Sequence, residues 1–181
     1  MPSVPSIRCS RFRSRLGERL ARDVGASPFR VPDDRKALYH AAAVFASNYV
    51  VASIDEAVQV LEAAGWRRAE AAKALIPLVE GVVANVRRRG TVRALTGPIR
   101  RGDAETVGRH IAALNRIGPS GAPRHLPTSG EELPSIEVVY RMLGLVALEI
   151  AKEAGLDPAA AGRTKRALTR DVAATRRRGR R

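Results

Sequence analysis

The sequence predicts an all-α protein, and three observations lead to that prediction. Apolar residues recur at helical spacing of three and four through most of the 181 residues, and no alternating strand-like run of adequate length occurs. Gly and Pro residues punctuate these periodic stretches at the points where helices begin and end. Hydrophobic residues make up 45% of the chain, which suits a folded domain of this length.

In the N-terminal part, the pattern predicts a disordered segment over residues 1–10 and a short helix over 11–25 that ends at Gly25. An extended piece from Pro28 to Pro32 is expected to follow. Asp33 or Asp34 can cap the next helix, which the pattern extends from Arg35 to Ala64. This helix contains a stretch of 18 uncharged residues, 37–54, about the length of a membrane span. Its His, Ser, Asn and Tyr residues favour a buried helix in a soluble core instead.

Four further elements follow. A helix over 66–89 contains Pro77, which should kink it. A turn at Thr96–Pro98 precedes a helix that Asp103 caps and that ends near residue 115. Repeated Gly and Pro residues, which interrupt helices, predict a loop over 118–133. A helix that begins at Ser135 is expected to follow. Its inward face is expected to comprise Ile136, Val139, Leu143, Val146 and Ile150. A last helix begins at Asp157–Pro158.

The net charge of +14 is concentrated at the two ends of the chain. Residues 1–22 carry +5 and residues 163–181 carry +8, whereas the 140 residues between them carry +1. A nucleic-acid-binding fold usually carries its basic stripe on the folded body. We therefore expect 163–181 to be a solvated basic tail, disordered, that touches nucleic acid only without specificity.

Several chemistries lack their motifs. No glycine-rich dinucleotide or Walker-type turn and no nucleophile elbow occurs in the sequence, and its three His residues are far apart. Cys9 is the only cysteine, so neither an intrachain disulfide nor a cysteine-based zinc site can form. We expect no metal and no cofactor in this chain, and a cytoplasmic location.

Two polar clusters remain as candidate sites. His40 and Ser47 share a helical stripe with valines, and Asn48 stands at its edge. These side chains either bond to a facing helix in the core or face a substrate pocket, where His40 is the candidate catalytic residue for proton transfer. In the second cluster, Arg101 could clamp a carboxylate beside a Gly-Pro turn, although a turn and a helix cap explain most of that pattern.

These clusters also carry a family resemblance. The segment Leu38–Tyr49, followed by Leu95-Thr96-Gly97-Pro98 and Arg101-Gly102-Asp103, resembles the helical C-terminal half of bacterial Rossmann-like oxidoreductases, catalogued as domain of unknown function 2520. That family is similar to pyrroline-carboxylate reductase and to the helical domains of 6-phosphogluconate dehydrogenase-like proteins. The resemblance covers about residues 15–160.

The resemblance implies a division of the chain. Residues 1–32 would be the remnant of a nucleotide domain, 33–162 the helical dimerisation and substrate domain, and 163–181 the tail. It also implies a small-molecule cleft lined by His40, Ser47, Asn48, Thr96, Gly97 and Arg101. NAD(P) is implied for full-length relatives, whereas this chain lacks the glycine-rich turn that would bind it, which indicates a truncated reading frame or a domain-only remnant.

Two long helices with Ala-rich and Val-rich faces carry more apolar surface than one small bundle hides, which favours a homodimer. The sequence therefore predicts a helical dimerisation and substrate-binding domain of a reductase-like protein, inactive alone. The alternatives are a small basic helical protein that associates with nucleic acid through its tail, and a cofactor-independent enzyme that uses His40.

Overall fold

The computed structural model describes residues 7–25, 27–117 and 134–170. All regular structure in these ranges is helical, so the all-α prediction is confirmed. The helices are α1 (Ile7–Asp23), α2 (Lys36–Ala46), α3 (Asn48–Ala63), α4 (Arg68–Ala94), α5 (Gly97–Arg101), α6 (Ala104–Ile117), α7 (Ile136–Glu153) and α8 (Pro158–Thr169). The chain divides into two compact units, Met1–Val50 and Val51–Arg181. The functional boundaries after residues 32 and 162 stay a prediction.

In the first unit, α1 begins at Ile7, four residues before the predicted start, so residues 7–10 are helical. Glu18 of α1 accepts hydrogen bonds from Nε and Nη2 of Arg30 at 3.1 and 3.0 Å. The rings of Phe29 and Tyr39 meet edge to face, with centroids 5.3 Å apart. These contacts hold residues 27–32, which form neither helix nor strand, against α1 and α2.

The single helix predicted over 35–64 is two helices, because the backbone leaves the helical region at Ser47 (φ −125°, ψ −73°). The Ser47 hydroxyl lies 2.6 Å from the carbonyl oxygen of Ala43, one turn earlier. A side chain that bonds back to that carbonyl competes with the backbone ladder and bends helices. Asp33, predicted as a cap, makes no capping bond and pairs instead with Lys36 at 2.6 Å.

The expectation that this segment is buried is wrong. Among residues 15–50 whose side chains are described, none is buried, and in α3 only Val58 and Gln59 are. None of the described elements of the first unit covers the apolar side chains of α2, which leaves Leu38 and Phe45 about two-thirds exposed. The buried core is elsewhere.

In the second unit, the core consists of side chains from α6, α7 and α8. Its buried members are Val107, Ile111, Leu148, Ala161 and Leu168. Two predicted caps position these helices: Asp103 Oδ1 accepts from the Thr106 amide at 3.0 Å, and Asp157 Oδ1 accepts from the Ala160 amide at 2.8 Å. Both capping predictions are confirmed.

The predicted inward face of α7 is wrong. Leu143 and Val146 are exposed, and the buried residues of this helix are Arg141, Gly144, Leu148 and Ala151. The small residues on that face let α8 approach closely, and the Arg141 guanidinium is accepted there because it donates to carbonyl oxygens of Ala167 and Leu168 at 3.0 and 2.8 Å. Leu143 and Val146 therefore lie outside the core, whereas Leu148 is fully buried in it.

Three smaller expectations also change. The irregular backbone in α4 lies at Gly90 (φ 72°, ψ 170°), where glycine tolerates a positive φ, rather than at Pro77. Thr96–Pro98, predicted as a turn, leads into the short helix α5. Residues 163–169, expected in a disordered tail, form the second half of α8, and Thr164 and Leu168 are buried. The predicted loop 118–133 and the rest of the tail lie outside the described residues.

Candidate functional site

The first predicted cluster lies at the break between α2 and α3. The Ser47 hydroxyl is 2.9 Å from Oδ1 of Asn48, the first residue of α3, and it has Ala43 as its second acceptor. His40 lies two turns earlier on α2. All three predicted side chains are exposed, so the core alternative for them is wrong. The side-chain amide of Asn48 and the imidazole of His40 are therefore both accessible to solvent.

The second predicted cluster surrounds α5. Thr96 precedes the helix in extended conformation, Gly97 begins it at φ 89°, and Arg101 ends it with an exposed guanidinium. Thr96 makes no capping hydrogen bond through its side chain. The pKa of Asp103 is lowered, chiefly because its carboxylate accepts from the Thr106 amide and to a smaller extent because Arg101 is near.

The structure therefore brings Ser47 into contact with Asn48, and it places Thr96, Gly97 and Arg101 on one short element. The two clusters belong to different compact units, and each stands by itself. Each offers hydrogen-bonding groups and, at Arg101, a positive charge that suits an anionic ligand. Their roles in binding stay predictions.

A groove in the second unit was not predicted. It lies between α3, α6 and α7 and has a volume of about 620 Å³. Its lining is mostly apolar and includes Val60, Leu61, Leu114, Val139 and Leu143. We call it the α3–α7 groove. The apolar residues were expected to face a core, and nothing in the sequence showed that α3 stands apart from α7 here.

Four polar side chains line the α3–α7 groove, those of Ser53, Glu56, His110 and Tyr140. Oε2 of Glu56 is buried and has no hydrogen-bond partner among the described residues. Desolvation, followed by the neighbouring charge of Asp55, raises the pKa of Glu56. His110 Nδ1 lies 3.0 Å from the hydroxyl of Tyr140, and burial raises the pKa of that phenol. A hint lay in the sequence, since Glu56 interrupts an apolar stretch; the His110–Tyr140 pair, 30 residues apart, gave none.

A second concave region lies between α6 and α8, with a volume of about 760 Å³. Arg163, Arg166 and Arg170 line it, and all three are exposed and have no ion-pair partner among the described residues. Glu105 of α6 is the one acidic residue of its lining. We call this region the α6–α8 cleft; its charge suits an anion.

Two further features of the described residues bear on the classes of function. Within the described ranges, no group of three His, Cys, Asp or Glu side chains comes together as a metal site. In the same ranges, the segment Asp33–Ala63 is long and apolar enough to cross a membrane by length and composition, with none of its tested window buried. Core helices of soluble proteins and signal sequences meet the same criterion, so this is weak evidence for a span.

The comparisons with curated proteins and with solved structures found no significant match. The comparison with family models found one that covers residues 7–145, from α1 into α7. Both predicted clusters, the groove-lining Glu56 and the whole of α4 lie within the matched range, whereas α8 lies outside it. The chain therefore belongs to the family described as Domain of unknown function (DUF2520).

Proposed function

We propose that this chain provides the helical dimerisation and substrate-binding part of a reductase-like protein that depends on NAD(P). The motifs of the two predicted clusters support the reductase-like role through their resemblance to helical halves of Rossmann-like oxidoreductases. The observation that carries the proposal is the uncovered apolar surface of α4, because a helix of this kind requires a partner.

The apolar side chains of α4 form one arc between Leu75 and Val86. On a helical wheel, Leu78, Val82, Val83 and Val86 fall within about 140° of one another. All four are exposed, by 66%, 56%, 54% and 38%, whereas the buried residues of α4 are Ala71 and Ala94, near its two ends. The middle of the longest described helix thus presents an apolar face that none of the described elements covers.

A second copy of the chain is the occupant that this arc fits best. Lys73, Glu80 and Arg87 project from the other side of α4, so two arcs can meet antiparallel about a twofold axis without opposing like charges. Leu143 and Val146 of α7 are exposed as well and enlarge the apolar surface of the same unit. Burying such surface contributes roughly 25 cal/mol per Å².

Analytical ultracentrifugation tests this dimer. We expect the wild-type chain to sediment as a dimer and the double variant L78E/V82E to sediment as a monomer with unchanged far-ultraviolet circular dichroism. Glu80→Gln, on the opposite face of α4, is the matched control and should remain dimeric. A monomeric wild type, or a dimer that survives L78E/V82E, contradicts the proposal.

The substrate-binding part rests on the two exposed clusters. Arg101 supplies a guanidinium that can pair with a carboxylate in two parallel hydrogen bonds, and Asn48 supplies both a donor and an acceptor. His40 supplies an exposed imidazole that can form hydrogen bonds through its two ring nitrogens. We therefore propose that the cluster at α5 binds a small anionic substrate through Arg101, and Arg101→Gln should weaken carboxylate binding measured by calorimetry, whereas Arg109→Gln should not.

The residues described do not fit a nicotinamide dinucleotide. They contain no strand, and the full sequence contains no glycine-rich strand-to-helix turn to receive a pyrophosphate. We therefore assign no hydride-transfer step to this chain. Fluorescence titration should show no saturable NADPH binding, and tight binding would contradict the proposed division of labour.

One observation favours a second candidate function, association with nucleic acid. The three arginines of the α6–α8 cleft add charge on the folded surface to the Arg-rich residues that follow α8 in the sequence. Phosphate contacts of this kind give affinity that falls steeply with salt. All three arginines lie within 163–181, the predicted basic tail, whose first part is helical.

Gel retardation of duplex DNA at about 50 mM salt tests this candidate. The triple variant R163Q/R166Q/R170Q should lose retardation, whereas R87Q/R88Q/R89Q removes the same charge from exposed positions of α4 and should retain it. Truncation after residue 170 tests the tail without removing the buried Leu168. If the full chain retards no DNA, or if both triple variants lose it equally, the α6–α8 cleft is no nucleic-acid site.

A further inference from the structure

The carboxylate of Glu56 is an unexplained charge in the α3–α7 groove. It is the one acidic residue among those that line the groove, and its Oε2 is buried without a partner in the described part of the chain. An ionised carboxylate taken from water without a compensating bond is costly. A fold keeps such a group most readily where something else satisfies it.

No side chain of α3 or α4 donates a hydrogen bond to Oε2 of Glu56. Arg68, the cation that reaches α3 from the start of α4, donates to Asp55 and Glu62. Its guanidinium is therefore committed to the carboxylates on either side of Glu56 in sequence. Oε2 of Glu56 therefore receives no hydrogen bond from a cation within the described residues.

The opposite wall of the groove suits a ligand with an apolar body and a positive charge. Tyr140 and His110 present two rings in an edge-to-face arrangement, 82° between planes, and their polar atoms are 3.0 Å apart. Aromatic faces attract ammonium groups, and the aliphatic lining accepts a hydrocarbon body. The volume of about 620 Å³ lies within the range of small-molecule sites.

We propose that the α3–α7 groove binds a small apolar molecule that carries one protonated amine, whose ammonium group donates a hydrogen bond to Oε2 of Glu56. A second copy of the chain that covered the groove with the apolar arc of α4 would leave this carboxylate oxygen buried and unpaired. An apolar amine does both: its ammonium group donates to the carboxylate, and its hydrocarbon body fills the groove. The site uses none of the residues assigned to substrate binding above, whereas Leu143 belongs both to its lining and to the apolar surface proposed for the dimer.

Isothermal titration calorimetry with three phenylalkyl probes tests the site: 2-phenylethylamine, the neutral 2-phenylethanol and the anionic 3-phenylpropanoate, which should bind most weakly because its charge opposes that of Glu56. A charge-assisted hydrogen bond should make the amine bind at least about tenfold more tightly than the alcohol. Glu56→Gln should remove this preference and leave the affinity for the alcohol unchanged. Glu149→Gln, an exposed residue of α7 that pairs with Lys152, is the matched control and should keep it.

A second variant separates the site from any effect of Glu56 on folding. Ala113 lines the groove and is exposed, so Ala113→Trp should occlude the groove and abolish binding of the amine without disturbing the core. Equal affinity for amine and alcohol, an unchanged amine affinity in E56Q or A113W, or no amine binding up to about 10 mM overturns the proposal. Loss of amine binding on dimerisation, which would show that a second copy covers the groove, overturns it as well.

Discussion

Gly144 of α7 faces Leu168 of α8 so closely that a Cβ atom at position 144 would lie 2.6 Å from Cδ2 of Leu168. Leu168 is fully buried, so its side chain has no free space to move into. We predict that Gly144→Val destabilises the fold by about 1–3 kcal/mol, the usual cost of overpacking a core. Urea unfolding followed by circular dichroism measures this difference.

Gly108 provides the control for that experiment. It lies in the middle of α6, and a Cβ atom there would meet nothing within 4 Å. Gly108→Ala should therefore stabilise the protein by about 0.5–1 kcal/mol, because glycine loses more chain entropy in a helix than alanine does. If Gly144→Val is as well tolerated as Gly108→Ala, the close contact between α7 and α8 is wrong.

The buried Arg141 should be costly to remove by itself. It pairs with Glu137 and donates to two carbonyl oxygens near the end of α8. Arg141→Met leaves the Glu137 carboxylate, only 12% exposed, without its partner. We predict a loss of about 3–5 kcal/mol in the free energy of unfolding.

The double variant E137M/R141M distinguishes an uncompensated charge from lost packing. It removes both charges and keeps apolar volume, so it should recover a substantial part of the loss. A double variant that is less stable than Arg141→Met alone would show that the Arg141 bonds to α8 dominate.

The helix boundaries set by local chemistry could be read from the sequence. Asp103 and Asp157 cap α6 and α8 as predicted, since each side chain accepts from the amide three residues later. Asp33, predicted in the same way, pairs with Lys36 instead. The break at Ser47 was missed because serine inside an apolar helical pattern bends a helix only when its hydroxyl bonds back, which depends on the local rotamer.

The faces of the helices could not be read in the same way. Leu143 and Val146 belong to the most hydrophobic stripe of α7, yet Gly144 and Ala151 face the core, because the distance between packed helices decided the outcome rather than hydrophobicity. The lining of the α3–α7 groove could not be predicted from the sequence for the same reason. Glu56 and Tyr140 line one groove through the arrangement of α3 and α7, and no local pattern encodes it.

The cap of α6 makes one contribution to stability that depends on pH. Asp103 has its pKa lowered from 3.8, first by the hydrogen bond from the Thr106 amide. The unfolded state therefore binds the proton more tightly, so this stabilisation is present above pH 3.8 and is lost as the pH falls through the lowered value. Asp103→Ala should reduce the melting temperature at pH 7 and reduce it less below pH 3.8.

Asp103→Asn is the companion variant, since its side-chain oxygen can still accept from Thr106 but does not titrate. It should retain most of the melting temperature at pH 7. A gap between wild type and Asp103→Ala that is constant with pH would contradict the ionic part of this cap.

The charge of Glu56 acts in the opposite direction. Its pKa is raised from 4.5, first by desolvation and then by the charge of Asp55, so the folded state binds the proton more tightly than the unfolded state. Without a bound cation, ionisation of Glu56 opposes folding, and its cost grows as the pH rises from 4.5 through the raised value and then levels off. We predict that Glu56→Gln melts at a higher temperature than wild type at pH 7 and at nearly the same temperature at pH 4.

Glu62→Gln, on the same helix, breaks an ion pair with Arg68 and should instead lower the melting temperature at pH 7. If Glu56→Gln lowers it as Glu62→Gln does, the Glu56 carboxylate has a favourable partner within the protein, and the buried charge in the α3–α7 groove is not free for an amine.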